Sequence, residues 1–255
     1  MNRFDLTGQV AIVTGGGTGI GRGTALVLAE HGADIVLAGR RAEPLESTAQ
    51  EIEALGRRAL AVPTDVTDPE ACRELVAATV AGLGGVDIVV NNAGGAETKS
   101  ISKWGDDEWD HVIALNLGSV WHLSRAAATH MLAKGKGAIV NISSGASLLA
   151  MPQAAPYAAA KAGVNSLTAS MAGAWTGRGV RVNAIAVGAV RAATLVDDLA
   201  RYGIDAETMG ATNGSGRLGE PEEIGYGVLF FASDASSFCS GQTLYIHGGP
   251  GPAGI

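Results

Sequence analysis

The stretch Val10-Ala11-Ile12-Val13-Thr14-Gly15-Gly16-Gly17-Thr18-Gly19-Ile20-Gly21 decides the fold. Five residues suited to a buried strand enter a glycine-rich turn, and the turn runs straight into a helical pattern. Glycines let the backbone turn tightly and approach a ligand closely, and free N–H groups at a helix start attract phosphate charge. The spacing is Gly15-x-x-x-Gly19-x-Gly21, and the strict G-x-G-x-x-G pattern is absent. By itself such a turn can be packing punctuation. Placed after the first strand of a βαβ unit, it favours a site for the pyrophosphate of a dinucleotide.

The same alternation continues outward from this turn. Further β-rich runs fall at 34–38, 59–63, 86–90, 138–142, 180–185 and 243–246. Helical patterns fill most of the gaps, at about 19–31, 43–55, 69–82, 107–133, 156–174 and 221–232. Strands alternating with helices indicate βαβ units and a parallel sheet covered on both faces. The expectation is a single α/β domain over residues 1–255, a Rossmann fold with a doubly wound, seven-stranded parallel sheet. Asp68-Pro69-Glu70 and Glu220-Pro221-Glu222-Glu223 are helix-start signals, with acids and a proline in the first turn. Residues 188–219 lack a clear strand and carry several glycines among scattered apolar residues. So long an irregular segment in a compact domain is usually functional, and it is expected to form a substrate lid.

Composition narrows the partners. Hydrophobic residues make up 47% and charged residues 17% of the 255, which suits buried strands and tight turns rather than disorder. The formal net charge is −7 with no basic run, which argues against nucleic acid or an anionic membrane as partner. Cys72 and Cys239 stand in no metal-ligand pattern and read as small buried residues of a reducing compartment. No signal-peptide stretch opens the chain, and no apolar run approaches the ~18 residues of a membrane span, so a cytoplasmic protein without a metal site is expected.

The second strand ends in Leu37-Ala38-Gly39-Arg40-Arg41. An acid there would bind the ribose 2′-hydroxyl of NAD, whereas arginine offers a fork of donors to a 2′-phosphate. NADP is therefore expected rather than NAD, with Arg40 as the contact and Arg41 as a solvated turn residue. Further along, Tyr157 and Lys161 stand four apart, one turn on the same helix face. A phenol with pKa ~10 becomes a useful acid–base group when a neighbouring ammonium stabilises its anion.

With Thr14–Gly21, Asn91-Asn92-Ala93-Gly94 after the fourth strand, Ser144 thirteen positions before Tyr157, and Tyr157-x-x-x-Lys161, the chain resembles the short-chain dehydrogenase/reductase family along essentially its whole length. The resemblance implies that Tyr157 exchanges a proton with a substrate carbonyl or alcohol. Lys161 would lower the phenol's pKa and hold the nicotinamide ribose. Ser144 would orient the carbonyl, and Asn116 would hold a water in the proton path. It further implies that Gly15, Thr18, Gly19 and Ile20 of the turn meet the cofactor. Asp65 and Val66 would meet its adenine, and Asn92, Ala93 and Gly94 its adenosine side. Gly188 and Val190 follow the sixth strand as further contacts. Ser143, lacking the matching spacing, reads as structural.

The chain also departs from the family pattern. Val187-Gly188 replaces the usual Pro-Gly, and the threonine expected near the nicotinamide amide falls at Ala192, with Thr194 two places on. His247 stands where an acid is common, and the five histidines read as structural or solvated. The resemblance places pocket walls at 95–100, 145–156 and the lid, which supply Leu148, Leu149, Met151, Leu195, Val196 and Leu199. These favour an apolar ketone or secondary alcohol such as a 3-oxoacyl thioester, with a steroid or small cyclic ketone as the alternative. An enoyl reductase is disfavoured by the Tyr157–Lys161 spacing, and a dinucleotide-binding sensor without turnover by the complete proton relay. The helices at 107–133 and 156–174 are, by resemblance, where such chains pair into homotetramers.

Overall fold

All five residues of β1 (Val10–Thr14) are buried, as an uninterrupted apolar run requires of a strand covered on both faces. In the computed structural model, which describes residues 2–192, 195 and 205–249, this strand lies near the middle of a sheet. The others are β2 (Asp34–Gly39), β3 (Ala59–Pro63), β4 (Ile88–Asn91), β5 (Gly137–Ser144), β6 (Val180–Val187) and β7 (Thr243–Ile246). Their order is β3-β2-β1-β4-β5-β6-β7, and every pairing is parallel. The chain winds outward from β1 one way, returns, and winds outward from β4 the other way. The expected doubly wound, seven-stranded α/β domain is the one observed, and its switch point lies between β1 and β4.

The helices are α1 (Gly19–Glu30), α2 (Ala42–Ala54), α3 (Pro69–Leu83), α4 (Asp106–Ile113), α5 (Ser119–Lys134), α6 (Ala155–Trp175), the short α7 (Ala206–Gly210) and α8 (Pro221–Ala232). Alternate strand residues feed two cores. Ala11 and Val13 pack with residues of α1, α2 and α8, while Val10 and Ile12 pack with residues of α3, α5 and α6. Burying Val27 and Leu28 of α1 stabilises the first core by about 1.5–3 kcal/mol each. Asp68 caps α3 by accepting from Glu70 N at 2.8 Å, and Glu223 accepts from Glu220 N at 2.8 Å at the start of α8. Cys72 lies in the second core, where burial pushes its thiol up to about 11, and Cys239 is half-buried. Among the described residues no helix is long and apolar enough to cross a membrane.

Two expectations are corrected. The fourth strand begins at Ile88 rather than 86, because the Asp87 carboxylate turns inward to accept from Val10 N at 3.0 Å. The single helix expected over 107–133 is broken by a five-residue π-turn, Ala114–Gly118, between α4 and α5. There Ser119 N donates five residues back to Ala114 O, and the Ser119 hydroxyl takes the Leu115 carbonyl at 2.5 Å. Beyond β6 one pairing joins the described residues on either side of the irregular segment. Val190 and Gly219 form an isolated parallel bridge, flanked by Arg191 N to Gly219 O at 2.7 Å and Gly219 N to Ala189 O at 3.0 Å. Thr194, Val196 and Leu199 lie outside the described residues.

Candidate active site

At the switch point the ends of β1 and β4 diverge, and side chains hold the gap. The Thr14 hydroxyl accepts from Asn92 N and Ala93 N, both at 2.9 Å, and Asn92 Nδ2 donates to Thr14 O at 2.8 Å. Gly15 follows at φ +65°, a conformation only glycine adopts cheaply. A Cβ on Gly21 would fall 2.1 Å from Gly15 O. The turn is thus folded on itself and clamped to the loop after β4. Thr18 caps α1 without a side-chain hydrogen bond, so the N–H groups of the first turn stay free for an anion.

A cleft of about 620 Å³ runs from this turn in two directions. On one side it is bounded by Arg40, Asp65 and Thr67 at the ends of β2 and β3. On the other it reaches Ser144, Tyr157 and Lys161. Its size lies in the range of cofactor sites. The glycine turn leaves no room for side chains where a pyrophosphate would lie, and Arg40 and Arg41, both exposed, make no ion pair among the described residues. These features fit a nicotinamide dinucleotide, adenosine toward Arg40 and the reacting ring toward Tyr157.

At that far end three residues of β5 hold α6. The Asn141 side chain donates to Thr168 Oγ1 at 2.8 Å, the Ile142 carbonyl accepts from Lys161 Nζ at 2.8 Å, and the Ser143 hydroxyl donates to Lys161 O at 3.2 Å. Asn91, paired with Asn141 across the sheet, donates to Asn141 Oδ1 at 2.8 Å and to Ser124 Oγ of α5 at 2.9 Å. This buried polar chain stitches both helices to the sheet directly below the cleft. Lys161 is 4% exposed, and burial pushes its amine down from 10.5 to about 8. The Ser144 hydroxyl stands beside the Tyr157 phenol at the same end of the cleft, and Lys161 Nζ lies 5.6 Å from the centroid of the phenol ring. The net effect on Tyr157 is upward: its burial outweighs the stabilising pull of the neighbouring Ser144 hydroxyl. The downward pull expected from Lys161 is therefore not the dominant influence on the phenol, which stands protonated at neutral pH as a donor.

Asn116 sits in the π-turn, fully buried. Its Oδ1 accepts from Gly95 N at 3.1 Å, and its Nδ2 donates to Gly95 O at 3.0 Å and Val112 O at 3.1 Å. A Cβ on Gly94 would fall 2.6 Å from that Oδ1 and 3.4 Å from Lys161 Nζ. Asn116 thus fixes the Gly94-Gly95 backbone beside the lysine.

Most residues singled out from sequence share this one cleft: Gly15, Thr18, Gly19 and Ile20; Arg40, Asp65 and Val66; Asn92, Ala93 and Gly94; Ser144, Tyr157, Lys161 and Gly188. Val190 does not line it. Its side chain is 5% exposed and belongs to the first core. Ala192 does reach it, close to Gly19. Sequence reasoning missed Thr14, whose signal was its place at the end of a strand before glycines. It also read His111 as structural or solvated, yet His111 lines the cleft together with Leu115. His247 does not line it but backs Gly188, which does, and its ring packs edge-on against Tyr245 with centroids 6.3 Å apart.

Residues 9–201 match the family model of the short chain dehydrogenases. The chain is 38% identical over 246 residues to gluconate 5-dehydrogenase of Gluconobacter oxydans, covering 96% of each. It is 35% identical over 244 residues to a 3-oxoacyl-acyl-carrier-protein reductase of Thermotoga maritima, covering 96% of this chain and 98% of the relative. Among solved structures, a 7α-hydroxysteroid dehydrogenase complexed with NADH and 7-oxo glycochenodeoxycholic acid superposes with a TM-score of 0.91 at 33% identity, covering 98% of both chains.

Proposed function

Since the chain belongs to the short chain dehydrogenase family and is an oxidoreductase of alcohols and ketones, we propose that it works with NADP on a ketone or secondary alcohol whose carbonyl carbon bears an apolar body. The observation that carries the reading is the convergence of the Ser144 hydroxyl, the Tyr157 phenol and the buried Lys161 amine at one end of a dinucleotide-shaped cleft. Bound in that cleft, the nicotinamide supplies or accepts a hydride. The chain's own residues handle the proton. In reduction Tyr157 delivers its phenolic proton to the carbonyl oxygen, and in oxidation it takes one from the alcohol. Ser144 holds that oxygen, and Lys161 places positive charge beneath the phenolate as it forms.

NADP is preferred over NAD because the end of β2 offers Arg40 and Arg41 and no acid. An apolar substrate body is supported by Leu148, Leu149 and Met151, which follow Ser144 and expose 70%, 51% and 38% of their surface. Ile101 is 62% exposed on the facing loop, and Lys99 N donates to Gln153 O at 2.8 Å to join the two loops. The reading also includes a cytoplasmic homotetramer paired through α4, α5 and α6. Turnover of a panel of 3-oxoacyl thioesters, cyclic ketones, steroids and polyol acids with each cofactor, followed by nicotinamide absorbance, tests it. Preference for polyol acids would overturn the apolar assignment, and tighter use of NAD the cofactor assignment.

A further inference from the structure

Ser144 is the last residue of β5, and the strand gives way there to a 3-10 turn, Gly145–Leu148. Its Oγ accepts from Ala146 N at 3.2 Å, so the aim of the hydroxyl follows the conformation of the turn. That bond uses an acceptor site and leaves the hydroxyl hydrogen for an oxygen in the cleft. Before Ser144, the Ile142 and Ser143 bonds to Lys161 fix the strand to α6. After it, the turn is fixed to the same helix at a further point: Asn165 Nδ2 donates to Ser147 Oγ at 2.9 Å. Asn165 stands one turn beyond Lys161 and two beyond Tyr157. The helix that carries the phenol and the amine therefore grips the backbone around the serine from both sides.

Stability alone does not call for this asparagine. Its Oδ1 is buried with no hydrogen-bond partner among the described residues, a cost that an aliphatic side chain would not carry. Position 165 also lies inside α6, where leucine is the better helix former. What the residue contributes is the bond to Ser147 and, through the turn, the direction of Ser144 Oγ.

We infer that Asn165 is a positioning residue of this chain, which through Ser147 holds the turn at 145–148 and so sets the Ser144 hydroxyl against Tyr157. The inference rests on the functional reading above. Neither Asn165 nor Ser147 lines the cleft, so the effect falls on turnover and not on cofactor binding.

Asn165→Leu, Ser147→Ala, the two combined, and Asn165→Leu combined with Ser144→Ala test it. The substrate is the ketone of the panel above that the wild type reduces fastest, and thermal unfolding and calorimetric titrations with NADP and NAD accompany the kinetics. Asn165→Leu should melt no lower than the wild type and bind cofactor within about two-fold of it, while kcat falls by about 5- to 30-fold. Ser147→Ala should lose kcat by a similar factor, and the double variant no more than the worse single one, since both break the same bond. On top of Ser144→Ala, Asn165→Leu should cost no further kcat. Should Asn165→Leu fail to fold, Ser147→Ala at its half-buried turn position carries the test. Wild-type kcat in both single variants overturns the inference, and so do losses that multiply in the double variant. A full loss on top of Ser144→Ala overturns it too, because the effect then runs through Tyr157 or Lys161. A wild type that turns over nothing in the panel sinks the functional reading, whereas an active wild type with indifferent variants sinks the role of Asn165 alone.

Discussion

Lys161 Nζ donates to the Ile142 carbonyl at 2.8 Å from a position only 4% exposed, so the charge on this amine is held at a cost. Burial lowers its pKa from 10.5 to about 8. Between those values the unfolded chain binds the proton and the folded one does not, so stability rises with pH across that window. Below pH 8 the full cost is present, on the order of 3 kcal/mol. Denaturant unfolding of the wild type and Lys161→Met from pH 7 to 10.5 should show the difference moving in favour of the wild type above pH 8. A difference that stays flat would mean the amine is not buried as a cation.

Tyr157→Phe removes the phenolic proton while leaving the ring in place. Turnover should fall by about 10²- to 10⁴-fold, with NADP affinity within about two-fold of the wild type. Steady-state kinetics and a cofactor titration read the two effects separately, and retained turnover would take Tyr157 out of the mechanism.

Arg40 is exposed at the end of β2 with no ion pair among the described residues. Its replacement by alanine should weaken NADP by about 10- to 100-fold, the worth of a charge-assisted hydrogen bond, and leave NAD nearly unmoved. Equal losses for both cofactors would place the guanidinium away from the 2′-phosphate.

Thr168 accepts from Asn141 Nδ2 two turns beyond Lys161. Thr168→Val keeps the shape but strands that donor, which costs about 1–3 kcal/mol of stability. A small rotation of α6 should then lower kcat about ten-fold with KM for the cofactor unchanged, and Thr168→Ser should restore it. A destabilised Thr168→Val with wild-type kcat would confine the polar chain to holding the sheet together.

Features that depend on neighbours along the chain are legible in the amino-acid sequence itself. The apolar run of β1, the glycines after it and the Asp68-Pro69 cap act within a few residues, and each stands where its chemistry predicts. Tyr157 and Lys161 share a helix turn, and the resemblance supplied Ser144 as their partner. What stayed hidden depends on distant partners. Thr14 is explained only by Asn92 and Ala93, some eighty residues away. The π-turn follows from Asn116 bonding to Gly95, and nothing in a continuous helical pattern announces it. His111 reads as a solvated residue, and only the fold shows that α4 carries it to the wall of the cleft. Val190 follows the motif spacing, yet the bridge to Gly219 turns its side chain into the core.

The π-turn gives one rod two addresses. An added residue in a single turn rotates everything after it by about 100° relative to an unbroken α-helix. The part up to Leu115 can therefore look into the cleft, while Val120, Leu123, Ala127 and Met131 of α5 still meet the sheet. Deleting one residue from 114–118 would bring the two halves back into phase and misdirect one of them. Within this segment the count of residues matters more than the identity of most of them.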